Sequence, residues 1–281
     1  MNGTFTLTDG AWGTQLQALG LALGDCPDVW NLSHPELVKL VARSYVDAGS
    51  DVILTNTFRA NAIALEPLGL REHVREINAL GARISKEAAQ GRARVFGSIG
   101  PAGKLLLTGE VTERDLEEAF REQAEALAPY VDGVVIETMS DVREAQLAIG
   151  AARGAGLTVA ACLVFDSGRN KDRTMMGVTP EQGALALAEA GADIIGANCG
   201  NGIAGYVEIC RRMQQAAAGL PVWIKANAGL PEMVGGQVVY RMTPQEFAAV
   251  VPDLLNAGAT YVGGCCGTTP DFIREVRRQC G

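Results

Sequence analysis

Gly263-Gly264-Cys265-Cys266-Gly267-Thr268-Thr269-Pro270 follows directly on Tyr261-Val262, close to the end of a chain of 281 residues. The apolar pair reads as the end of a short buried strand. Neighbouring side chains of a strand point to opposite faces, so two adjacent thiols reach one point only where the strand breaks down. The flanking glycines permit that break, because they adopt backbone angles other residues avoid. Ile194-Ile-Gly-Ala-Asn-Cys-Gly200 repeats the pattern and puts Cys199 at the end of another apolar run. Three thiolates at strand ends, Cys199, Cys265 and Cys266, suit zinc, which favours sulfur ligands and tetrahedral geometry. Three protein ligands leave the fourth position for a substrate. Two other readings stand beside this one. Free cysteines are often simply buried, and the adjacent pair could form a redox-active vicinal disulfide.

Composition narrows the choice. The 24 basic and 32 acidic side chains give a net charge of −8 with no basic cluster, which argues against nucleic acid as a partner. No apolar run approaches the roughly 20 residues that span a membrane. Residues 1–9 lack the basic and apolar regions of a signal peptide, so a cytoplasmic location is expected. Seven cysteines, an odd number scattered through a long chain, do not resemble a secreted disulfide framework. The two histidines, His34 and His73, fall in helical or pre-helical sequence, which disfavours a histidine metal site or a Ser-His-Asp triad.

Outward from the cysteines, short apolar runs recur at 4–10, 51–58, 93–100, 131–138, 157–166, 193–200, 221–229 and 260–267. Helical sequence separates them. His34-Pro35-Glu36 opens a helix with an apolar stripe at Leu37, Leu40, Val41 and Tyr45, closed by Ala48-Gly49. A helical stretch over 61–90 is interrupted near Pro67-Leu68-Gly69. Thr112, Asp141, Thr179, Thr243 and Thr269 each stand where a helix begins. The segment through Trp12, Trp30 and Asn31 reads as loop, and 233–240 as a small hairpin turning on Gly235-Gly236.

Eight strand–helix units with strands apolar on both faces imply a parallel sheet covered on both sides. At this length the match is a (β/α)8 TIM-type barrel, one domain over 1–281. A doubly wound open sheet is the runner-up, but no Gly-x-Gly-x-x-Gly follows the first strand. A barrel gathers its chemistry at the carboxyl ends of the strands. Asp9, Asn56, Glu137, Asp166, Cys199, Asn227, Cys265 and Cys266 all fall there, and a barrel brings the sixth and eighth strands close enough for the cysteines to share one ion.

Asp9-Gly10-Ala11-Trp12-Gly13-Thr14, Thr55-Asn56-Thr57-Phe58, Glu137-Thr138, Asn198-Cys199-Gly200, Asn227-Ala228-Gly229 and the stretch 263–270 together make the chain resemble the zinc-dependent homocysteine S-methyltransferase family. That family includes the homocysteine module of cobalamin-dependent methionine synthase and betaine–homocysteine methyltransferase. The resemblance covers essentially the whole chain, and its fold is a (β/α)8 barrel. It implies that Cys199, Cys265 and Cys266 ligate Zn2+. It implies that Asp9, with the loop at Gly10, and Glu137 hold the amino group of homocysteine. It also implies that Asn227 lies near the metal and fills the fourth position before substrate arrives. The methyl donor is then a small molecule or a methylated corrinoid protein. Met139 and Arg59 depart from the family pattern, and both are expected to line the donor side.

Plainer roles compete at several positions. Glu137 could cap a helix, and Asp9 or Asn227 could serve only their turns. Asp166 reads as a solvated loop acid, and Trp12 and Trp30 as packing. Cys162, Cys210 and Cys280 read as structural. A different chemistry, a Schiff-base lyase, would use Lys225 near the end of the seventh strand.

Overall fold

The computed structural model describes residues 5–234 and 237–281. The start of the first strand at Thr4 and the turn expected at Gly235-Gly236 lie outside the described residues. Eight parallel strands form one sheet: β1 (Thr6–Leu7), β2 (Val52–Leu54), β3 (Arg94–Ile99), β4 (Gly133–Met139), β5 (Val159–Leu163), β6 (Ile194–Gly202), β7 (Val222–Asn227) and, after an antiparallel hairpin of β8 (Glu232–Val234) and β9 (Gln237–Val239), β10 (Ala259–Gly264). Their spatial order runs β1-β10-β7-β6-β5-β4-β3-β2. A parallel bridge between Thr8 and Val52 brings the two ends together, so the sheet is a nearly closed barrel. The Asp51 amide donates to the Leu7 carbonyl at 2.7 Å across the same seam. The expected barrel is therefore observed, with β1 and β2 shorter than their apolar runs suggested.

Alternation along the strands sorts the core into two parts. Val52, Leu54, Phe96, Val135, Ala160, Cys162, Ile194 and Trp223 pack together as the barrel's interior. Their neighbours, among them Ile53, Val95, Val134, Ile195 and Ile224, pack outward against the helices. Trp223 stacks between Phe96 and Tyr261, with centroids 5.8 and 5.0 Å away. Gly196 makes room for it, since a Cβ there would lie 2.1 Å from the Trp223 carbonyl.

The caps read from the sequence hold. Thr112, Thr179 and Thr243 form capping boxes with Asp115, Gln182 and Glu246, satisfying otherwise unpaired amides. Asp141 and Thr269 cap the helices Val142–Gly154 and Pro270–Cys280. One segment differs from expectation: 13–18 is a helix (Gly13–Ala18), not a loop, followed by short helical turns at Pro27–Val29 and Trp30–Ser33. Its pattern is short and carries no side-chain cap at Trp12, so propensity and capping gave no signal there. Among the described residues, no helix is long and apolar enough to cross a membrane.

Candidate metal and substrate site

The inward register of the barrel, extended two residues beyond its apolar plug, builds the floor of the site. From Phe96 it reaches Ser98, from Val135 it reaches Glu137, from Trp223 it reaches Lys225, and from Gly196 it reaches Asn198. All four side chains are buried. A cavity of about 340 Å³ opens beside them, lined also by Trp12, Phe58 and the three cysteines.

Cys199, Cys265 and Cys266 come together as the sequence suggested. Their sulfurs all lie within 4.8 Å of one another, and Cys199 Sγ is 3.9 Å from Cys266 Sγ. The three sulfurs can hold a metal ion. The backbone deviations that allow this are visible. β10 ends at Gly264, and both following thiols sit in the turn. The Cys265 amide donates to Ala226 at 2.7 Å, and the Cys266 carbonyl accepts from Ala228 at 2.9 Å, which ties the turn to the end of β7. Thr268 Oγ1 donates to the Cys265 carbonyl at 2.7 Å and accepts from the Ala11 amide at 3.1 Å. Gly267 takes φ +81° directly against Tyr240, where no side chain fits. Cys199 itself adopts φ +61°, a left-handed conformation uncommon outside glycine.

Glu137 is 7% exposed and faces the cavity. Its Oε1 accepts from Ser98 Oγ at 2.6 Å and its Oε2 from Asn198 Nδ2 at 3.3 Å. Burial raises its pKa, against the lowering effects of the Lys225 charge and the Ser98 bond. Asn198 also accepts from the Thr138 amide at 2.6 Å and donates to Thr138 Oγ1 at 2.7 Å. It thereby holds Thr138 at φ +62°.

Asp9 stands directly behind the cavity wall, bonded to three residues that line it. It is fully buried; its Oδ2 accepts from Trp12 Nε1 at 2.8 Å and the Leu54 amide at 2.7 Å, and its Oδ1 accepts from Lys225 Nζ. Gly10, in contrast, lines the cavity, and a Cβ there would meet Thr268 Oγ1 at 2.8 Å. Asn227 donates to the Gly200 carbonyl at 2.9 Å, while its buried Oδ1 finds no hydrogen-bond partner among the described residues.

Burial opposes a charge on Lys225, but the charges of Asp9 and Glu137 and the bond to Asp9 outweigh it and raise the lysine's pKa. An ammonium held charged in this way is not the free amine an imine requires. Trp12, read as packing, lines the cavity with its indole N–H fixed on Asp9. Arg59 also lines the cavity, from the exposed loop after β2. Met139 does not: it is fully buried in the outer core. Asp166 is exposed, and Cys162 and Cys210 are buried in packing. Ser98 was not singled out in the sequence, and Asn198 stood there only as the neighbour of Cys199 in its motif, with no role of its own. The inward register of β3 and β6 was the signal that could have found them.

Fold and site define a (β/α)8 barrel with a three-thiol centre and a buried acid at the carboxyl ends of its strands. A sequence profile of the homocysteine S-methyltransferase family matches residues 6–280, and the chain belongs to that family. It is 32% identical over 286 residues to a methionine synthase of Mycobacterium leprae and 33% identical over 285 residues to that of Mycobacterium tuberculosis. Each match covers 95% of this chain, which spans about a quarter (24%) of the length of these relatives. The metallated form of the homocysteine methyltransferase MmuM from Escherichia coli has the same fold, at 21% identity, with a TM-score of 0.81 over 99% of this chain and 96% of that one. Its apo form superposes with a TM-score of 0.76.

Proposed function

We propose that the protein transfers a methyl group to the thiol of homocysteine, giving methionine, with zinc held by Cys199, Cys265 and Cys266. The observation that carries this reading is the three-sulfur cluster opening into the same cavity as Glu137. The donor set fits zinc. Tetrahedral Zn–S bonds of about 2.3 Å separate neighbouring sulfurs by roughly 3.8 Å, and the Cys199–Cys266 separation is 3.9 Å. Soft thiolates select zinc over the hard cations. The unpaired Oδ1 of Asn227 is a further oxygen donor on the neighbouring strand. Bound there, zinc supplies the acidity that turns a substrate thiol into a thiolate at neutral pH.

The chain's own residues do the rest. Glu137 accepts the ammonium of homocysteine, oriented by Ser98 and Asn198. Asp9 acts on the site through Lys225 and Trp12, to which it is bonded. Residues from the loops after β1 and β2, Trp12, Phe58 and Arg59, form the lining available to the donor. The substrate sulfur forms the new bond to the methyl carbon as the donor's bond breaks and its electron pair leaves with the donor. Holding the two in line is the barrel's contribution to rate.

The test combines metal analysis with a donor screen of S-methylmethionine, betaine, methylcobalamin and a methylated corrinoid protein. Purified protein is expected to hold about one zinc per chain. Cys199→Ser, Cys265→Ser and Cys266→Ser each lose zinc and methyl transfer, and Cys210→Ser, in a buried helix position, keeps both. Full zinc content and turnover in a Cys266→Ser variant would overturn the assignment.

A further inference from the structure

We infer that Lys225 binds the α-carboxylate of the thiol substrate, so that Glu137 and Lys225 together select an α-amino acid rather than a simple aminothiol. The inference rests on the methyl-transfer reading and extends it to how the acceptor is chosen. Lys225 stands on β7 in the inward register, two residues beyond the buried Trp223. It is 2% exposed, yet it lines the same cavity as Glu137 and the three cysteines. A lysine ammonium has three N–H donors. Among the described residues its one hydrogen bond goes to Asp9 Oδ1. A buried cation with donors to spare at a cavity wall favours an anionic ligand.

The charges around it point to the kind of ligand. Asp9 spends its carboxylate on Lys225, Trp12 and the Leu54 amide, behind the cavity lining those three residues form. The cavity meets two buried acids, Glu137 and Asp28, and one buried base, Lys225. Asp28 is taken up by the Arg59 amide and the Cys26 thiol, which leaves Glu137 as the acid that pairs with Lys225 across the cavity. The other cation in the lining, Arg59, is exposed on its loop. An acid and a base facing one cavity complement a zwitterion. An amino acid satisfies both with charge-assisted hydrogen bonds, whereas a plain aminothiol leaves Lys225 without its anion. A purely structural lysine that only neutralises Asp9 would show no preference for the carboxylate of a ligand.

Three ligands separate these roles by calorimetry on the zinc-loaded protein: homocysteine, 3-aminopropane-1-thiol, which lacks the carboxylate, and 4-sulfanylbutanoate, which lacks the ammonium. Lys225→Met alone leaves Asp9 buried and unpaired, so the informative chain is the double variant Asp9→Asn, Lys225→Met. It is expected to bind homocysteine and 4-sulfanylbutanoate roughly 10- to 100-fold more weakly and 3-aminopropane-1-thiol as tightly as the native chain, the range that one charged hydrogen bond provides. Lys225→Arg restores the preference for the carboxylate. Equal weakening of all three ligands, or unchanged homocysteine affinity in the double variant, overturns the role of Lys225 while native homocysteine binding leaves the methyl-transfer reading standing. A native protein that binds none of the three overturns both.

Discussion

Asn198→Ala removes a side chain that touches Glu137, Thr138 and Cys265 together. In the native chain its carboxamide accepts from the Thr138 amide at 2.6 Å. It donates to Glu137 Oε2 at 3.3 Å and Thr138 Oγ1 at 2.7 Å, and its nitrogen lies 3.9 Å from Cys265 Sγ. The alanine leaves the Thr138 N–H without its acceptor in a partly buried place, a loss of about 1–3 kcal/mol. Its bond to the Glu137 carboxylate is charge-assisted but long, so it contributes near the lower end of about 1.5–3 kcal/mol. Together these amount to about 3–5 kcal/mol, a large share of the roughly 5–15 kcal/mol that keeps a domain folded.

At roughly 2–4 °C per kcal/mol for a chain of this size class, Tm falls by about 6–20 °C. Glu137 keeps Ser98 as a partner, so it stays in place but is less well aimed. Homocysteine affinity then drops by about tenfold, the equivalent of one weakened hydrogen bond. Differential scanning calorimetry gives the first quantity and titration calorimetry the second. A Tm within 2 °C of native together with an unchanged dissociation constant would refute the claim that Asn198 fixes the acid and its strained neighbour.

Two further outcomes follow from burial and from close contact. Glu144, 5% exposed and accepting from the Ala102 amide at 2.7 Å, has its carboxyl pushed up from 4.5 to about 7, chiefly by burial. The folded state therefore binds the extra proton, and the contribution of Glu144 is full below pH 4.5 and lost as pH rises through about 7. Relative to the native chain, Glu144→Gln should gain up to about 3 kcal/mol between pH 4.5 and 8, measured by urea unfolding at several pH values; a pH-independent difference would contradict this. Gly263→Ala puts a Cβ 1.9 Å from Thr8 Oγ1 and 2.7 Å from the Asp9 carbonyl, at the join of β10 and β1. Forcing them apart costs about 1–3 kcal/mol or more. Because Thr8 Oγ1 has no hydrogen-bond partner among the described residues, adding Thr8→Ala should recover part of that loss; absence of any recovery would show that the clash is not the cause.

The barrel and its three-sulfur centre were legible because each depends on local pattern. Apolar runs give strands, threonine and aspartate caps give helix starts, and the cysteines stand at the ends of strands in a fold that gathers strand ends on one face. The roles of Asp9 and Lys225 were not legible, because they depend on a contact between residues 216 apart in the chain. Sequence placed Asp9 in the cavity with Glu137 and considered Lys225 as a nucleophile. In the folded chain each occupies the other: Asp9 sits behind Lys225 and Trp12, which line the cavity, and its charge keeps Lys225 protonated. Of the two residues expected on the donor side, Arg59 lines the cavity and Met139 does not, because Met139 falls on the outward side of β4, where pairing with β5 resumes after an irregularity.

The two non-glycine residues held at left-handed φ in the site, Thr138 and Cys199, flank one another through Asn198. Such a conformation costs of order 1–3 kcal/mol and persists only where the surroundings enforce it. Here the enforcing contacts are named. Asn198 grips Thr138 by two hydrogen bonds, and Tyr206 Oη shares its one proton between the carbonyls of Asn198 and Cys199, each at 2.9 Å. The strain bends β4 and β6 at the point where each delivers its functional side chain, Glu137 on one and Cys199 on the other. A regular strand would send Asn198 and Cys199 to opposite faces. The left-handed turn at Cys199 is what lets Asn198 stay on the floor while the next residue brings its sulfur to the cluster. Acid and thiol are thus set by one packed unit, and this is why loss of the Asn198 side chain is expected to act on both stability and substrate affinity.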